Sequence, residues 1–434
     1  MPNPAAVSSA TASTKGNYAL SIAIIGVLFF IFGFVTWLNG TLIPFLKLAC
    51  DLHSDAQALL VTFAFYMAYF CLAIPSSFIL NKTGFKNGMS LGLAVMAVGA
   101  LLFVPAASNR SFILFLTGLF VQGMGLALLQ TASNPYISVI GPLESAASRI
   151  SIMGICNKVA GALSPLILGA IVLKGASEVE ARIAAAAPGA ERIQLLQELS
   201  GRVIQPYVIM AAVLFLLALM IRFSPLPEID TDGGDPAGTT PGGSGGRTSV
   251  FQFPHLLLGV LCLFLYVGVE VMAGDVIGPY ARSLGMSLND TKSLTSYTLW
   301  SMVVGYTIGI FTIPKFIRQE TALKLSALTG ILFALGAYLT GGHLSITFIA
   351  LLGFANSLMW PAIFPMAIKG LGKFTKIGSA LLIMGIAGGA ILPQVYGQLA
   401  KVLTPQSAFF WCTLPCYLYI FYYATRGHRA GQPD

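Results

Sequence analysis

Long apolar runs separated by short polar stretches dominate the chain. Each run reaches the ~20 residues that a helix needs to cross a bilayer. We expect an all-α, polytopic membrane protein, because only helices and closed barrels satisfy their backbone polar groups in lipid. The pattern predicts twelve helices, at 18–48, 55–81, 86–107, 110–141, 148–173, 203–223, 253–284, 290–314, 320–341, 344–371, 375–400 and 405–426.

A hydrophilic segment separates the sixth predicted helix from the seventh. It is rich in proline and glycine, a composition that is typical of a flexible linker. Proline and glycine recur at matching places in the two halves, which favours a duplicated six-helix unit. We predict five parts: a cytoplasmic tail at 1–17, six-helix bundles at 18–223 and 253–426, a cytoplasmic linker at 224–252 and a tail at 427–434.

The remaining polar segments indicate how the chain is oriented. The stretch 174–202 is alanine-rich with Pro188–Gly189 in its middle, which predicts two short helical pieces in a loop. With the N-terminus inside, fourteen Lys and Arg residues fall on the cytoplasmic side and nine outside. Both termini are therefore predicted to be cytoplasmic. Residues 1–17 are small and polar, so we expect no cleavable signal peptide.

Composition narrows the class of protein. Only 9% of the residues are charged, against roughly 25% in soluble domains, so lipid must be the solvent for much of the surface. The net charge of +8 is explained by basic loops rather than by nucleic acid. No phosphate loop, zinc motif or nucleophile elbow is present, so we expect neither an enzyme nor a cofactor. We expect a monomer in a bacterial inner membrane.

Three charged residues lie deep inside predicted spans. Glu270 and Asp275 are on the seventh helix and Lys158 is on the fifth. A charge at mid-bilayer costs at least ~2.5 kcal/mol on insertion scales, so these side chains should face the bundle interior and serve a function. We predict that Lys158 pairs with Glu270, since an unpaired buried lysine should lose its proton. The alternative is an ion pair that only holds the halves together.

The two embedded carboxylates suggest ion coupling. Glu270 beside a lysine is the better candidate for a proton switch. Asp275 lies between Gly274 and Gly278–Pro279, where an unwound helix would offer carbonyl oxygens. It is therefore the candidate ligand for Na⁺, the alternative being a gate or helix-end residue. The candidate ion-coupling residues are Glu270, Asp275 and Lys158, and the ion is Na⁺ or H⁺.

Uncharged polar and aromatic residues within the spans suggest a substrate. Amides offer donors and acceptors to hydroxyl groups, and an aromatic ring covers the apolar face of a sugar. Many amides with few charges favour a neutral, hydroxylated substrate, although any single member could instead join helices. The candidate substrate-binding residues, Glu270 included, are Trp37, Asn39, Tyr66, Gln130, Asn134, Asn157, Glu270, Trp300, Asn356 and Trp360.

Several motifs carry a family resemblance that runs nearly end to end. The segment 77–86 resembles the loop 2–3 signature of the major facilitator superfamily, with Asn81 where an aspartate is usual. The segments 38–44, 65–70, 130–135 and 266–268 resemble the fucose–galactose–glucose:cation symporter family of that superfamily. Fucose-type members have an aspartate at the position of Gly40 and a glutamate at that of Gln130, and these two carboxylates couple protons there. This chain lacks both carboxylates, and its segment from Tyr266 to Asp275 resembles the glucose/galactose branch instead.

The resemblance implies a secondary transporter of the twelve-helix fold that works by alternating access. We expect it to import a monosaccharide, such as glucose, galactose or N-acetylglucosamine, by symport with Na⁺ or H⁺. One alternative is a proton-coupled exporter of sugars or drugs with the same fold. Another is a membrane receptor or scaffold that binds a sugar without moving it, which the paired halves and deep charges disfavour.

Overall fold

All regular structure in the described part of the chain is helical. The computed structural model describes residues 4–139, 146–186, 189–226, 248–313, 316–371 and 374–431. The helices are α1 (Pro4–Thr36), α2 (Asn39–Ala49), α3 (Asp55–Ala58), α4 (Leu60–Leu101), α5 (Phe103–Ser108), α6 (Phe112–Val139), α7 (Ala146–Val172), α8 (Ala176–Ala185), α9 (Ala190–Gly201), α10 (Ile204–Phe223), α11 (Pro254–Gly274), α12 (Ile277–Ser283), α13 (Leu288–Thr291), α14 (Leu294–Thr312), α15 (Gln319–Leu339), α16 (Gly342–Asn356), α17 (Met359–Ile368), α18 (Thr375–Met384), α19 (Gly388–Leu399) and α20 (Pro405–Thr425).

The predicted all-α membrane fold is confirmed. Within the described ranges, eleven helical segments are long and apolar enough to cross a membrane. α20 is not among them, although its 21 residues match the length that a bilayer requires. Its four tyrosines lower its hydropathy. α20 packs against α15 and α11, so it completes the second set of helices at the position of the predicted twelfth.

The polar segments agree with the sequence in part. α8 and α9 confirm the two short helical pieces within 174–202. α1 begins at Pro4 rather than at residue 18, so the first helix extends into the predicted tail. Most of the predicted linker, 227–247, lies outside the described residues, as do 1–3 and 432–434 of the two tails.

The helices of each half pack mainly on one another, and a smaller set joins the halves. In the first half α1 packs on α7 and α4 on α6, and in the second half α15 packs on α20 and α11 on α19. Contacts between the halves run from α7 to α14, from α4 to α18 and α19, and from α2 to α12. Side chains on these joining helices are therefore the ones that can form a site between the halves.

Several long helices are interrupted near their middle. The first predicted span is broken between α1 and α2, from Thr36 to Asn39. The seventh predicted span is broken between α11 and α12, from Gly274 to Ile277. The second break agrees in part with the unwound segment that Gly274 and Gly278–Pro279 predicted: the helix is interrupted at Asp275 and Val276, whereas Gly278 and Pro279 lie inside α12. A break frees backbone groups that need new partners in the membrane, so it marks a place where polar side chains or a bound solute can be held. We call the end of the bundle where α10 stops and α11 starts the linker end, and the opposite end the α8–α9 end.

Candidate substrate and cation site

The two helix breaks lie side by side, with Trp37 of the first against Gly274 of the second. The hydroxyl of Thr295 donates to the carbonyl oxygen of Gly274 at 2.7 Å, and that of Thr298 donates to Ala273 at 2.9 Å. Both threonines lie on α14, which thereby satisfies carbonyl groups at the end of α11. The unwound turn is held in one shape, which keeps the acidic residues around it in defined positions.

An ion pair crosses between the two halves beside these breaks. The Nζ atom of Lys158 on α7 lies 2.8 Å from Oε1 of Glu270 on α11, and both residues are only 8% exposed. The predicted pairing of these two residues is confirmed. Removing either partner would leave an uncompensated charge in the membrane interior, so the pair must stay together or each member must find another partner.

Trp37 forms one wall of this site. Its ring lies 4.5 Å from the Nζ atom of Lys158, measured to the ring centroid, which is a cation–π contact. The ring occupies a slot whose opposite sides are Gly161 on α7 and Gly274 on α11. A Cβ atom on either glycine would approach the indole to 2.3 Å, so only glycine leaves room for it. The break after Thr36 places an aromatic face against the ion pair.

Asp275 is the most enclosed charged group in the described part of the chain. It is 0% exposed, and its Oδ2 atom accepts a hydrogen bond from the hydroxyl of Tyr66 at 3.4 Å. Its Oδ1 atom has no hydrogen-bond partner within the described ranges. The backbone amide of Gly40 faces the same carboxyl group. Since Tyr66 and Gly40 belong to the first half, this carboxyl group also lies at the junction of the halves.

The predicted amides do not form one cluster. Gln130 donates to the hydroxyl of Tyr69 at 2.8 Å, and Asn157 to the carbonyl of Phe29 at 3.4 Å. Asn39 is fully buried, with neither amide atom bonded to any described residue. Asn39 and the half-buried Gln130 lie on helices next to the junction of the halves.

Other predicted residues lie farther into each half. Asn356 accepts a hydrogen bond from Tyr417 of α20 at 3.0 Å, so it joins helices within the second half. Trp360 packs on Phe364, and its ring centroid lies 6.5 Å from that of Tyr266. Tyr266 lies one helical turn before Glu270 on α11. Asn134 is half-buried on α6. Trp360 is thus the member of this group that approaches the ion pair, through Tyr266.

Trp300 does not belong to the site, which corrects the prediction. It is 42% exposed and lies on one stripe of α14 with Tyr297, Val304 and Ile308, all of which are also exposed. This stripe is opposite to the buried face that carries Thr295 and Thr298. Hydropathy cannot separate the two faces, because a helix in lipid is apolar on both its outer and its inner side.

Sequence analysis missed several hydroxyl groups of the site. Thr295 and Thr298 escaped because threonine is common in membrane helices, yet their spacing of three residues puts them on one face. Tyr69 is one turn from Tyr66, and Tyr266 is one turn from Glu270. A spacing of three or four residues from a predicted site residue on the same helix would therefore have identified these hydroxyl groups. In the described part of the chain, no group of three or more His, Cys, Asp or Glu side chains converges as a metal site.

The site is closed toward the α8–α9 end. α2 contacts α12 there, and Arg282 of α12 forms an ion pair with Glu180 of α8. A crevice of about 180 Å³ remains outside this contact, with Lys47, Asp51 and Asp55 among its lining residues. The Asp275 carboxyl group therefore cannot meet solvent from this end unless the two halves separate.

Known proteins share the architecture of this chain. The profile of the Major Facilitator Superfamily matches residues 25–393. The chain belongs to this superfamily. Its members are transporters, so the chain is a multi-pass membrane transporter and not an enzyme.

Individual relatives of this superfamily protein align over almost the whole chain. It is 32% identical to the glucose/galactose transporter of Brucella abortus (strain 9-941), over 96% of both chains. It is 30% identical to the L-fucose-proton symporter of Escherichia coli K12, over 89% of this chain and 88% of that one. The crystal structure of the superfamily transporter FucP in the outward conformation superposes with a TM-score of 0.72 at 28% identity, covering 96% of this chain and 100% of that one. The recognised family resemblance is thereby confirmed.

Proposed function

We propose that this transporter imports a neutral monosaccharide, a hexose of the glucose/galactose type or a close derivative such as N-acetylglucosamine, together with a proton. The protein would lie in a bacterial inner membrane with both termini in the cytoplasm, as the excess of Lys and Arg on that side favours. The helix sets 18–223 and 253–426 would move against each other around the central site, in the manner of transporters built from two related halves.

The observation that carries this proposal is the ion pair between Lys158 and Glu270 next to the ring of Trp37. The pair has no net charge, so it suits a neutral solute better than an ionic one. Its ammonium group donates and its carboxylate accepts, which matches the dual character of a sugar hydroxyl. The flat indole beside it can cover the apolar face of a pyranose ring.

The relatives support the same class of substrate. The Brucella abortus protein is named a glucose/galactose transporter, and two Helicobacter pylori proteins, 30% and 29% identical, are named putative glucose/galactose transporters. The Escherichia coli relative is named an L-fucose-proton symporter, which favours H⁺ as the coupling ion.

The test is transport by purified protein in proteoliposomes. Labelled glucose, galactose, N-acetylglucosamine and L-fucose are offered in counterflow, where a trapped unlabelled sugar drives entry of the labelled one. We expect exchange of at least one of these sugars, and its accumulation against a gradient when an inward proton gradient is imposed without sodium.

Two outcomes would overturn parts of this proposal. Absence of counterflow for every sugar, from protein that is folded by size-exclusion chromatography, would exclude monosaccharide transport. Accumulation that needs a sodium gradient and ignores a proton gradient would replace H⁺ by Na⁺ as the coupling ion. The Lys158→Met variant, which breaks the ion pair, should lose counterflow. The Lys47→Met variant is its matched control, because it removes a lysine at the α8–α9 end and should transport as the parent does.

A further inference from the structure

We propose that Asp275, and not Glu270, binds the coupling proton, at its Oδ1 atom. This inference rests on the proposed function, since it assigns the ion of that symport to one atom of the site. It also reverses the roles that the sequence suggested, in which Glu270 was the proton switch and Asp275 a sodium ligand.

The two carboxylates have different surroundings. Glu270 has a full positive charge 2.8 Å away on Lys158, so the carboxylate has a partner of opposite charge. Asp275 has no cation in contact. Its Oδ2 atom has the hydroxyl of Tyr66 at 3.4 Å, and Oδ1 has no partner among the described residues, although the residue is 0% exposed. Burial without an ion-pair partner disfavours a charge, so Asp275 is the group that gains most from taking up a proton.

The charged and titratable groups facing Asp275 are Tyr66 on α4, Glu270 on α11 and Lys158 on α7. Together Lys158 and Glu270 cancel, so they leave Asp275 to set the net charge of the site. That net charge is −1 when Asp275 is ionised and zero when it is protonated. Protonation of Asp275 therefore makes the site electrically neutral, so that closure does not bury a net charge.

The surroundings suit a proton better than a sodium ion. Sodium, like other hard cations, needs several oxygen ligands at once. The carbonyl groups of Gly274 and Ala273 at the break already accept hydrogen bonds from Thr295 and Thr298. The groups that face the Asp275 carboxyl, the hydroxyl of Tyr66 and the amide of Gly40, are hydrogen-bond donors. A proton needs only the free oxygen, which Oδ1 supplies.

The position of Asp275 couples this proton to movement. Asp275 follows α11 in the second half, whereas Tyr66 and Gly40 belong to α4 and α2 of the first half. When the halves separate at the α8–α9 end, the carboxyl group would meet water and exchange its proton there. Closure buries it against Gly40 and Tyr66, which is favoured for the neutral acid. The proton taken up outside would leave Oδ1 for the cytoplasm after the linker end opens.

The experiment uses the full-length protein in proteoliposomes that contain a pH-sensitive dye. For the parent, adding the transported sugar outside should acidify the lumen. The Asp275→Asn variant keeps the size of the side chain and removes its proton. We expect it to retain counterflow within about threefold of the parent, and to lose at least tenfold of the sugar-induced acidification and all accumulation against a gradient.

The outcomes separate this inference from the function on which it rests. If the parent protein exchanges no sugar, the proposed function fails, whatever Asp275 does. If the parent acidifies the lumen and Asp275→Asn does so equally, Asp275 is not the proton site. Asp290→Asn is the matched control, because Asp290 is an exposed carboxylate on α13 and its loss should leave both signals unchanged.

A second variant keeps the inference testable if Asp275→Asn does not fold. Tyr66→Phe removes the hydroxyl that donates to Oδ2 and leaves the ring in place. Losing a donor makes the ionised carboxylate less favourable, so Asp275 should hold its proton to a higher pH. In a plot of proton-coupled uptake against pH, we expect the alkaline limb, where uptake falls off, to shift to higher pH by about half a unit. An unchanged limb, or one that moves downward, would contradict the assignment.

Discussion

In the part of the chain that the structure describes, two ion pairs join the halves of this transporter, and they differ in depth. Lys158–Glu270 lies in the middle of the bundle, where both side chains are 10% exposed. Arg282–Glu180 lies at the α8–α9 end, where both side chains are 33% exposed. In the first half, Lys158 lies on α7 and Glu180 on α8, which follows α7. In the second half, Glu270 lies on α11 and Arg282 on α12, which continues α11 after the break. The two pairs therefore join the same two stretches of chain at different depths in the membrane.

The difference in depth predicts a difference in function. Breaking a buried pair leaves a charge without a partner and costs about 3–5 kcal/mol, whereas an exposed pair is worth about 0–1 kcal/mol because water replaces the partner. The deep pair is therefore suited to define the binding site. The pair at the α8–α9 end is therefore suited to open and close, and the backbone amide of Asn289 donates a further hydrogen bond there, to Ser177 at 3.4 Å.

The largest expected effect follows from breaking the deep pair. Lys158→Met leaves Glu270 unpaired and should lower the free energy of unfolding by about 3–5 kcal/mol. Thermal unfolding in detergent measures the loss, and sugar counterflow should become undetectable.

The double variant Lys158→Met/Glu270→Gln decides whether the deep pair has a function beyond stability. With both charges removed, most of the lost stability should return, because no unpaired charge remains. Counterflow should stay absent. A double variant that transports as well as the parent would show that the pair only holds the halves together.

An intermediate effect is expected at the α8–α9 end. Arg282→Ala should weaken closure by about 0.5–1 kcal/mol, which is about a two- to fivefold change in the ratio of open to closed molecules. Ile43 is buried on α2 and lines the crevice at this end. Ile43→Cys, in a background without the native cysteines, should react correspondingly faster with an impermeant maleimide when Arg282 is replaced.

The partner residue provides the internal check on that measurement. Glu180→Ala should accelerate labelling as much as Arg282→Ala does, and the two together should do no more than either alone. Additive effects would mean that Arg282 and Glu180 act through separate contacts.

The smallest effect is expected for a pair within one half. Lys47 on α2 pairs with Asp55 on α3, and their side chains are 41% and 45% exposed. Because this pair does not cross between the halves, Lys47→Ala should change stability by less than about 0.5 kcal/mol and leave the labelling of Ile43→Cys unchanged. Faster labelling would show that charge in the crevice, and not contact between the halves, controls opening.

Much of this organisation was predictable from the chain alone. The apolar runs located the helices, because a span must be long and nearly free of charge. Lys158 and Glu270 could be paired in advance, because so few charges lie at depth that each has few partners. The break beside Asp275 was predictable from Gly274 and Gly278–Pro279, since these residues weaken a helix.

Other features depended on how the helices pack. Hydropathy reports depth in the membrane, but it does not report which side of a helix faces lipid, since both sides are apolar. Trp37 and Trp300 are equivalent in the sequence, and packing puts one beside Lys158 and the other on the outer surface. Gly40 and Tyr66 are distant from Asp275 in the chain, so only the meeting of α2, α4 and α11 leaves Oδ1 of Asp275 without a partner. Contacts between halves arise from interlocking side-chain shapes and close glycine approaches, which hydrophobic periodicity does not encode.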